Sequence, residues 1–162
     1  MQQHKSVHKL PDIDSILIDG FHYSLNHIPK ITDRHYFLTH YHSDHYTGLH
    51  TYWNDGIIYC SSITANLLKN VMKLHHHHLI QARELNQKYS LNHDIDYTFL
   101  DANHSPGAIM ILFHIKSNQT YHLHTGDMRF HERMRSYHAL QNINIDQLYL
   151  DTTYAHPKHS FI

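Results

Sequence analysis

At 162 residues the chain is about one domain long, with room for a single core and not for a multidomain machine. A composition of 41% apolar and 17% charged residues, with 5 Gly and 4 Pro, excludes a disordered or low-complexity chain. The formal charge is -1, from 13 Lys+Arg against 14 Asp+Glu, but the 22 His are the dominant titrating group; exposed, they would add on the order of ten positive charges between pH 7 and pH 6.

Short apolar runs rich in β-branched and aromatic residues, bounded by turn residues, predict strands at 15–19, 35–39 and 56–60. Between the second and third, about 44–53 reads as a helix. Cys60 follows a buried run and is read as structural. A single cysteine excludes an intramolecular disulfide framework and a Cys-based zinc finger and makes a reducing compartment the default. A second helix is expected over 62–74, capped by Ser61 or Ser62, with Ile63, Leu67, Val71 and Leu74 as its apolar stripe. The run His75 to His78 reads as a solvated loop that binds metal adventitiously. Further strands are expected at 96–100, 108–113, 121–124 and 147–150, with a hairpin turn at 116–120 and a weaker helical pattern over 132–141. The chain is mixed α/β without repeats or an evident linker, its sheet order open. No run approaches the ~18 apolar residues of a membrane span, and the opening MQQHKSVHKL lacks the apolar stretch of a signal peptide. A soluble intracellular protein without a membrane partner is expected.

The sharpest chemical feature is Thr39-His40-Tyr41-His42-Ser43-Asp44-His45, of the form H-x-H-x-D-H. At the end of an extended segment side chains two apart point the same way, so His40 and His42 can face one ion, while Asp44 and His45 follow at the turn. Imidazole and carboxylate suit zinc, manganese or iron. In a chain this rich in histidine the pattern arises by chance with a probability of roughly 3%. Two more segments strengthen the case. His104 stands in the loop Asp101-Ala-Asn-His-Ser-Pro-Gly107, whose backbone Pro106 and Gly107 constrain. Asp127 follows a strand end in His124-Thr-Gly-Asp127, where Gly126 permits a sharp exit. Ligands spread over three strand-end loops are what a site at a sheet edge requires.

These segments resemble the metallo-β-lactamase superfamily. Residues 37–45, 101–113, 124–129 and 148–154 closely resemble the DNA cross-link repair 5′-exonucleases, relatives of Artemis that carry a β-CASP domain inserted in the metallo-β-lactamase fold. Ser105 stands where the family usually has Cys, and Met128 where Phe is usual. The resemblance implies the N-terminal part of an αββα sandwich of mixed and antiparallel sheets with flanking helices. Residues 1–13 would form a lead-in and 14–162 the N-terminal portion of the metallo-β-lactamase domain. The β-CASP insertion and the C-terminal portion would be absent beyond Phe161 and Ile162, so the chain is expected to be an incomplete form, weakly active or inactive alone.

The same resemblance implies His40, His42 and His104 as ligands of a first metal, with Asp127 as a further or bridging ligand. Asp44 and His45 would face a second position, weakly occupied in such nucleases. The ion implied is Zn2+, one or two, with Mg2+ or Mn2+ at the second position. Asp19 matches the first acidic motif and is assigned a hydrogen bond to a ligand histidine. Asp151 matches the acidic residue that opens the β-CASP region, orienting the site or the scissile phosphate. A dication there lowers the pKa of bound water and neutralises phosphoryl charge, so that metal-bound hydroxide attacks phosphorus. Asp44 is the candidate proton acceptor if the second metal is missing. The family implies a nuclear nuclease of interstrand cross-link repair that takes DNA with a 5′-phosphate end, working beside other repair proteins, its oligomeric state open. Alternatives are an RNA-processing or other hydrolase of the superfamily, and a non-enzymatic metal- or partner-binding module.

Other features have plainer readings. His122 and His124 share one strand face, and His124, three residues from Asp127, is equally a site neighbour or a packed side chain. Arg129 is read first as an ion-pair partner and second as a phosphate contact. The 12 Tyr are read mainly as core or sheet surface rather than base-stacking groups. The 13 Lys+Arg, spread along the chain, form no basic stripe of the kind that tracks phosphates.

Overall fold

A computed structural model describes residues 8–9, 13–156 and 158. Most of the expected lead-in at 1–13, and Phe161 and Ile162, lie outside the described residues. Two five-stranded sheets pack face to face. The first contains β1 (His8–Lys9), β2 (Ile16–Ile18), β3 (His35–Phe37), β4 (Ile57–Ser61) and β5 (Ile80–Arg83), in the order β1-β2-β3-β4-β5. It is parallel except for β1, which pairs antiparallel with β2. The second contains β6 (Lys88–Ser90), β7 (Ile95–Asp101), β8 (Ile109–Ile115), β9 (Thr120–His124) and β10 (Gln147–Tyr149), in the order β10-β9-β8-β7-β6. It is antiparallel except for β10, which runs parallel to β9.

Period-two alternation divides each strand between two layers. Ile16, Ile18, Phe37 and Tyr59 of the first sheet meet Tyr97, Phe99, Ile111 and Phe113 of the second in the central core. The Phe37 ring stacks on Tyr59 at 4.9 Å and meets the Phe113 ring edge-on at 5.1 Å. On the outer face of the first sheet, Leu17, Tyr36, Leu38, Ile58 and Cys60 pack with Trp53 and with Ala65 and Leu68 of α1 (Ser62–Asn70). The outer face of the second sheet, with Met110, Leu112 and Leu123, is covered by Met134 and its neighbours in 128–145. These layers make a partial metallo-β-lactamase fold.

Three helical expectations need correction. Residues 44–53 form successive turns, because Gly48 takes φ +99°, at a point where a β-carbon would sit 2.6 Å from the Phe21 backbone, breaking any continuous helix. Helix α1 stops at Asn70: Lys73 adopts φ +58° and the Leu74 amide bonds back to the Leu68 carbonyl, which turns the chain off the helix end. Ser61 caps it as expected, accepting from the Thr64 amide, but the buried face is Thr64, Ala65 and Leu68, leaving Ile63 and Val71 exposed. The small Thr64 and Ala65 let the helix lie close on the sheet. The 132–141 segment is two 3-10 turns, Glu132–Ser136 and His138–Leu140, separated by an extended Tyr137.

The seven expected strands are present, with ends shifted by a residue or two, and the 116–119 turn joins β8 to β9. Strands β1, β5 and β6 have no counterpart among the expected elements; Ile80–Arg83 and Lys88–Ser90 lack an apolar run and gain strand form from their neighbours' hydrogen bonds. Among the described residues no helix is long and apolar enough to cross a membrane.

Candidate metal centre

The ligand-bearing segments leave both sheets at one edge of the sandwich. His40 and His42 follow β3, His104 follows β7, and Asp127 follows β9. The loops are locked together by backbone: the Ile109 amide donates to the Thr39 carbonyl at 3.0 Å, and the Arg129 amide to the Ala102 carbonyl at 3.0 Å. Gly126 turns with φ +53° against Thr39, so close that a β-carbon on it would sit 2.9 Å from Thr39 Cβ. His124 Nδ1 accepts from the Gly126 amide at 3.0 Å and so helps to hold this turn.

Two overlapping groups of ligand atoms result: His40 with His42 and His104, and His40 with His45 and Asp127, each within 4.8 Å. His42 Nδ1 lies 2.8 Å from His40 Nε2 and 3.3 Å from His104 Nε2. Asp127 Oδ2 lies 3.8 Å from both His40 Nε2 and His104 Nε2, and its Oδ1 lies 3.2 Å from His45 Nε2. Ligand atoms around one tetrahedral zinc stand about 3.4 Å apart, so these spacings suit a shared cation. His40 and His45 are buried, while His42 and His104 face solvent and Asp127 is intermediate. The centre is therefore closed behind and open in front. The 75–78 run belongs to neither group found among the described residues.

Asp19 sits behind the cluster with φ +52°. Its carboxylate accepts from the Thr39 amide at 2.8 Å, the Thr39 hydroxyl at 2.7 Å and His45 Nδ1 at 2.8 Å. With its proton committed to Asp19, the Thr39 hydroxyl accepts from His40 Nδ1 at 3.0 Å. Both buried rings then carry their proton on Nδ1 and turn an Nε2 lone pair to the cluster. In that neutral form the His45 Nε2 and Asp127 Oδ1 lone pairs face each other, an arrangement that a cation resolves. Burial, and after it His45, His42 and His104, push the His40 pKa down to about 3 despite the nearby Asp19, so the ring is neutral and ready to ligate. Burial works to raise the Asp19 pKa, but the bonds from His45 and Thr39 outweigh it and hold the carboxylate below its usual range.

Of the remaining candidates, Asp44 is half-exposed, with Oδ2 3.9 Å from His45 Nε2, and it joins neither group. Asp151 stands outside the cluster. It accepts from the Met128 amide at 3.2 Å and the Thr153 amide at 2.9 Å, and its own amide donates to Thr125 Oγ1 at 2.9 Å. Burial opposes its charge, yet these bonds and the His104 ring keep its pKa low. Thr39, which links Asp19 to His40, is a residue of the cluster's surroundings that the motif alone does not single out. Its place beside the first histidine at a strand end is the signal that marks it. Arg129 corrects the ion-pair reading: among the described residues its guanidinium takes no ion pair.

The partial metallo-β-lactamase fold thus carries at its strand ends a histidine–carboxylate cluster that could hold a metal ion. No family model matches the chain. Over 126 residues it is 44% identical to "DNA cross-link repair protein SNM1" of Arabidopsis thaliana, covering 78% of this chain and 25% of that protein. It is 45% identical over 128 residues to "DNA cross-link repair protein pso2/snm1" of Schizosaccharomyces pombe, covering 78% and 22%. With "5′ exonuclease Apollo" of Gallus gallus it shares 40% over 124 residues, covering 76% and 26%. Over 76–78% of its length the chain is thus similar to DNA cross-link repair proteins of the SNM1 kind and to the exonuclease Apollo. It spans about a quarter of the length of these relatives.

Proposed function

We propose that this chain carries the metal-binding part of a nuclear, metal-dependent nuclease that hydrolyses DNA phosphodiesters from a 5′-phosphate end in cross-link repair. Residues 14–162 are its N-terminal metallo-β-lactamase portion. The observation that carries the reading is the convergence of His40, His42, His45, His104 and Asp127 from both sheets onto one open-fronted cluster. His40, His42 and His104 would hold one ion, and Asp127, between them and His45, would bridge to a second position; zinc suits this donor set. A dication bound there supplies a Lewis acid for a phosphoryl oxygen and a lowered pKa for water.

The chain's own residues do the positioning. Asp19, through Thr39 and directly, keeps the protons of His40 and His45 on Nδ1 and fixes both rings. Asp151 anchors the Met128 amide, next to Asp127, and so holds the carboxylate loop. With the second position empty, Asp44, half-exposed beside His45, would accept at Oδ2 the proton lost by the attacking water.

The test pairs metal content with cleavage. Purified protein should retain zinc after dialysis, measured by mass spectrometry, and His40→Ala should lose most of it. Any release of nucleotides from 5′-phosphorylated DNA should fall at least 100-fold in the same variant. Equal zinc in wild type and His40→Ala would sink the proposal, as would cleavage that survives the substitution.

A further inference from the structure

Three of the chain's five arginines, Arg129, Arg133 and Arg135, fall within seven residues just after Asp127. The segment is pinned beside the His104 loop. Asn103 Nδ2 donates to the Arg129 carbonyl at 3.1 Å, and Arg133 donates to Asp101 at 2.6 Å and to Asn103 Oδ1 at 2.9 Å. Arg133 is thus committed to Asp101, and Arg135 pairs with Glu132 at 3.2 Å while its guanidinium lies 5.9 Å over the Phe130 ring. Arg129 is exposed and takes no ion pair among the described residues, and Phe130 beside it is 53% exposed. An unpaired guanidinium and an exposed aromatic ring, two and three residues from a candidate ligand, match the two needs of a single strand: a cation for phosphate and a platform for a base.

We propose that Arg129 and Phe130 form the surface that positions a DNA single strand at the metal centre, Arg129 holding a backbone phosphate and Phe130 stacking a base. This rests on the nuclease reading and adds to it the residues that seat the substrate. The occupant is nucleic acid rather than an acidic peptide because an exposed ring follows the unpaired cation directly in the chain.

The test measures binding of a fluorescent, 5′-phosphorylated, phosphorothioate-linked DNA single strand by anisotropy over a range of salt. Arg129→Gln should weaken binding several-fold and flatten the salt dependence by about 0.7 in log–log slope, the signature of one lost phosphate contact on a single strand. Arg129→Lys should restore the slope, which a merely structural role would not do. Phe130→Ala should weaken binding roughly tenfold with the slope unchanged. Zinc content should equal wild type in all three variants. Wild-type affinity and slope in both Arg129→Gln and Phe130→Ala would overturn the assignment, as would no binding of the strand by wild type. If the variants behave as expected in a protein whose His40→Ala form keeps its zinc, the strand surface stands and the nuclease reading falls. If metal-dependent cleavage is retained while the variants bind like wild type, the nuclease reading stands and the strand surface falls.

Discussion

The His35 ring is 7% exposed in the central layers, with Nδ1 3.1 Å from the Tyr59 hydroxyl. Burial holds its pKa below the ordinary 6.5, with Asp33 opposing only partly. The unfolded chain therefore takes up a proton near pH 6.5 that the fold resists, and stability contributed by the neutral ring is lost progressively as pH falls from 6.5 toward the lower folded value. His35→Phe, which keeps a ring against Tyr59, should remove this component. Chemical denaturation at several pH values should show wild type losing stability relative to the variant below pH 6.5, at a rate of at most about 1.4 kcal/mol per pH unit. A constant difference from pH 8 to pH 5 would contradict the assignment. At Cys60, fully buried in β4, burial pushes the thiol up to about 12. The thiol should ignore disulfide reagents in the native protein and react on denaturation, a colorimetric readout of global unfolding.

The strand-end turns govern the site at the next scale. Gly126 carries the chain from β9 to Asp127 in a left-handed conformation, pressed against Thr39, the residue that links Asp19 to His40. Gly126→Ala adds backbone strain of about 1–2 kcal/mol and forces Thr39 to move. Zinc affinity, measured by chelator competition, should drop roughly 10–100-fold, the usual cost of disturbing groups that orient ligands. Among the elements, strands with dense apolar alternation, such as Ile95–Asp101 and Ile109–Ile115, are legible because burial on both faces writes itself into residue type. A helix over 44–53 is suggested by apolar spacing that is genuine, yet Gly48 and the ligand turn override it. The stripe on α1 slips by one residue because small residues, Thr64 and Ala65, form the contact, and small residues carry little hydrophobic signal.

Across the whole molecule, the cluster ties the two sheets together. His40, His42 and His45 extend from the first sheet and His104 and Asp127 from the second, so an ion bound by both groups would cross-link them. Binding to the native state alone stabilises by about 2.7 kcal/mol at a ligand concentration one hundred times the dissociation constant. Thermal unfolding should shift upward on addition of zinc at pH 7.5, and the shift should shrink in His104→Ala, which removes one of the second sheet's two candidate ligands and leaves Asp127. A zinc-independent Tm in wild type would show that the cluster does not bridge the sheets.

The candidate ligand residues and their three loops are readable from residue order alone, because metal chemistry restricts residue identity, and Asp-Ala-Asn-His and Leu-Asp-Thr-Thr-Tyr are the specific segments. Most strands are readable in the same way, through apolar alternation. Folding was needed to settle that His45 joins His40 and Asp127 while Asp44 stays at the margin, since ring direction depends on the turn after His42 and on the Asp19 and Thr39 hydrogen bonds. Folding also settles which arginine is left unpaired. In sequence Arg129, Arg133 and Arg135 are equivalent cations; packing brings Asp101 to one and Glu132 to another, and charge becomes available only where folding supplies no partner.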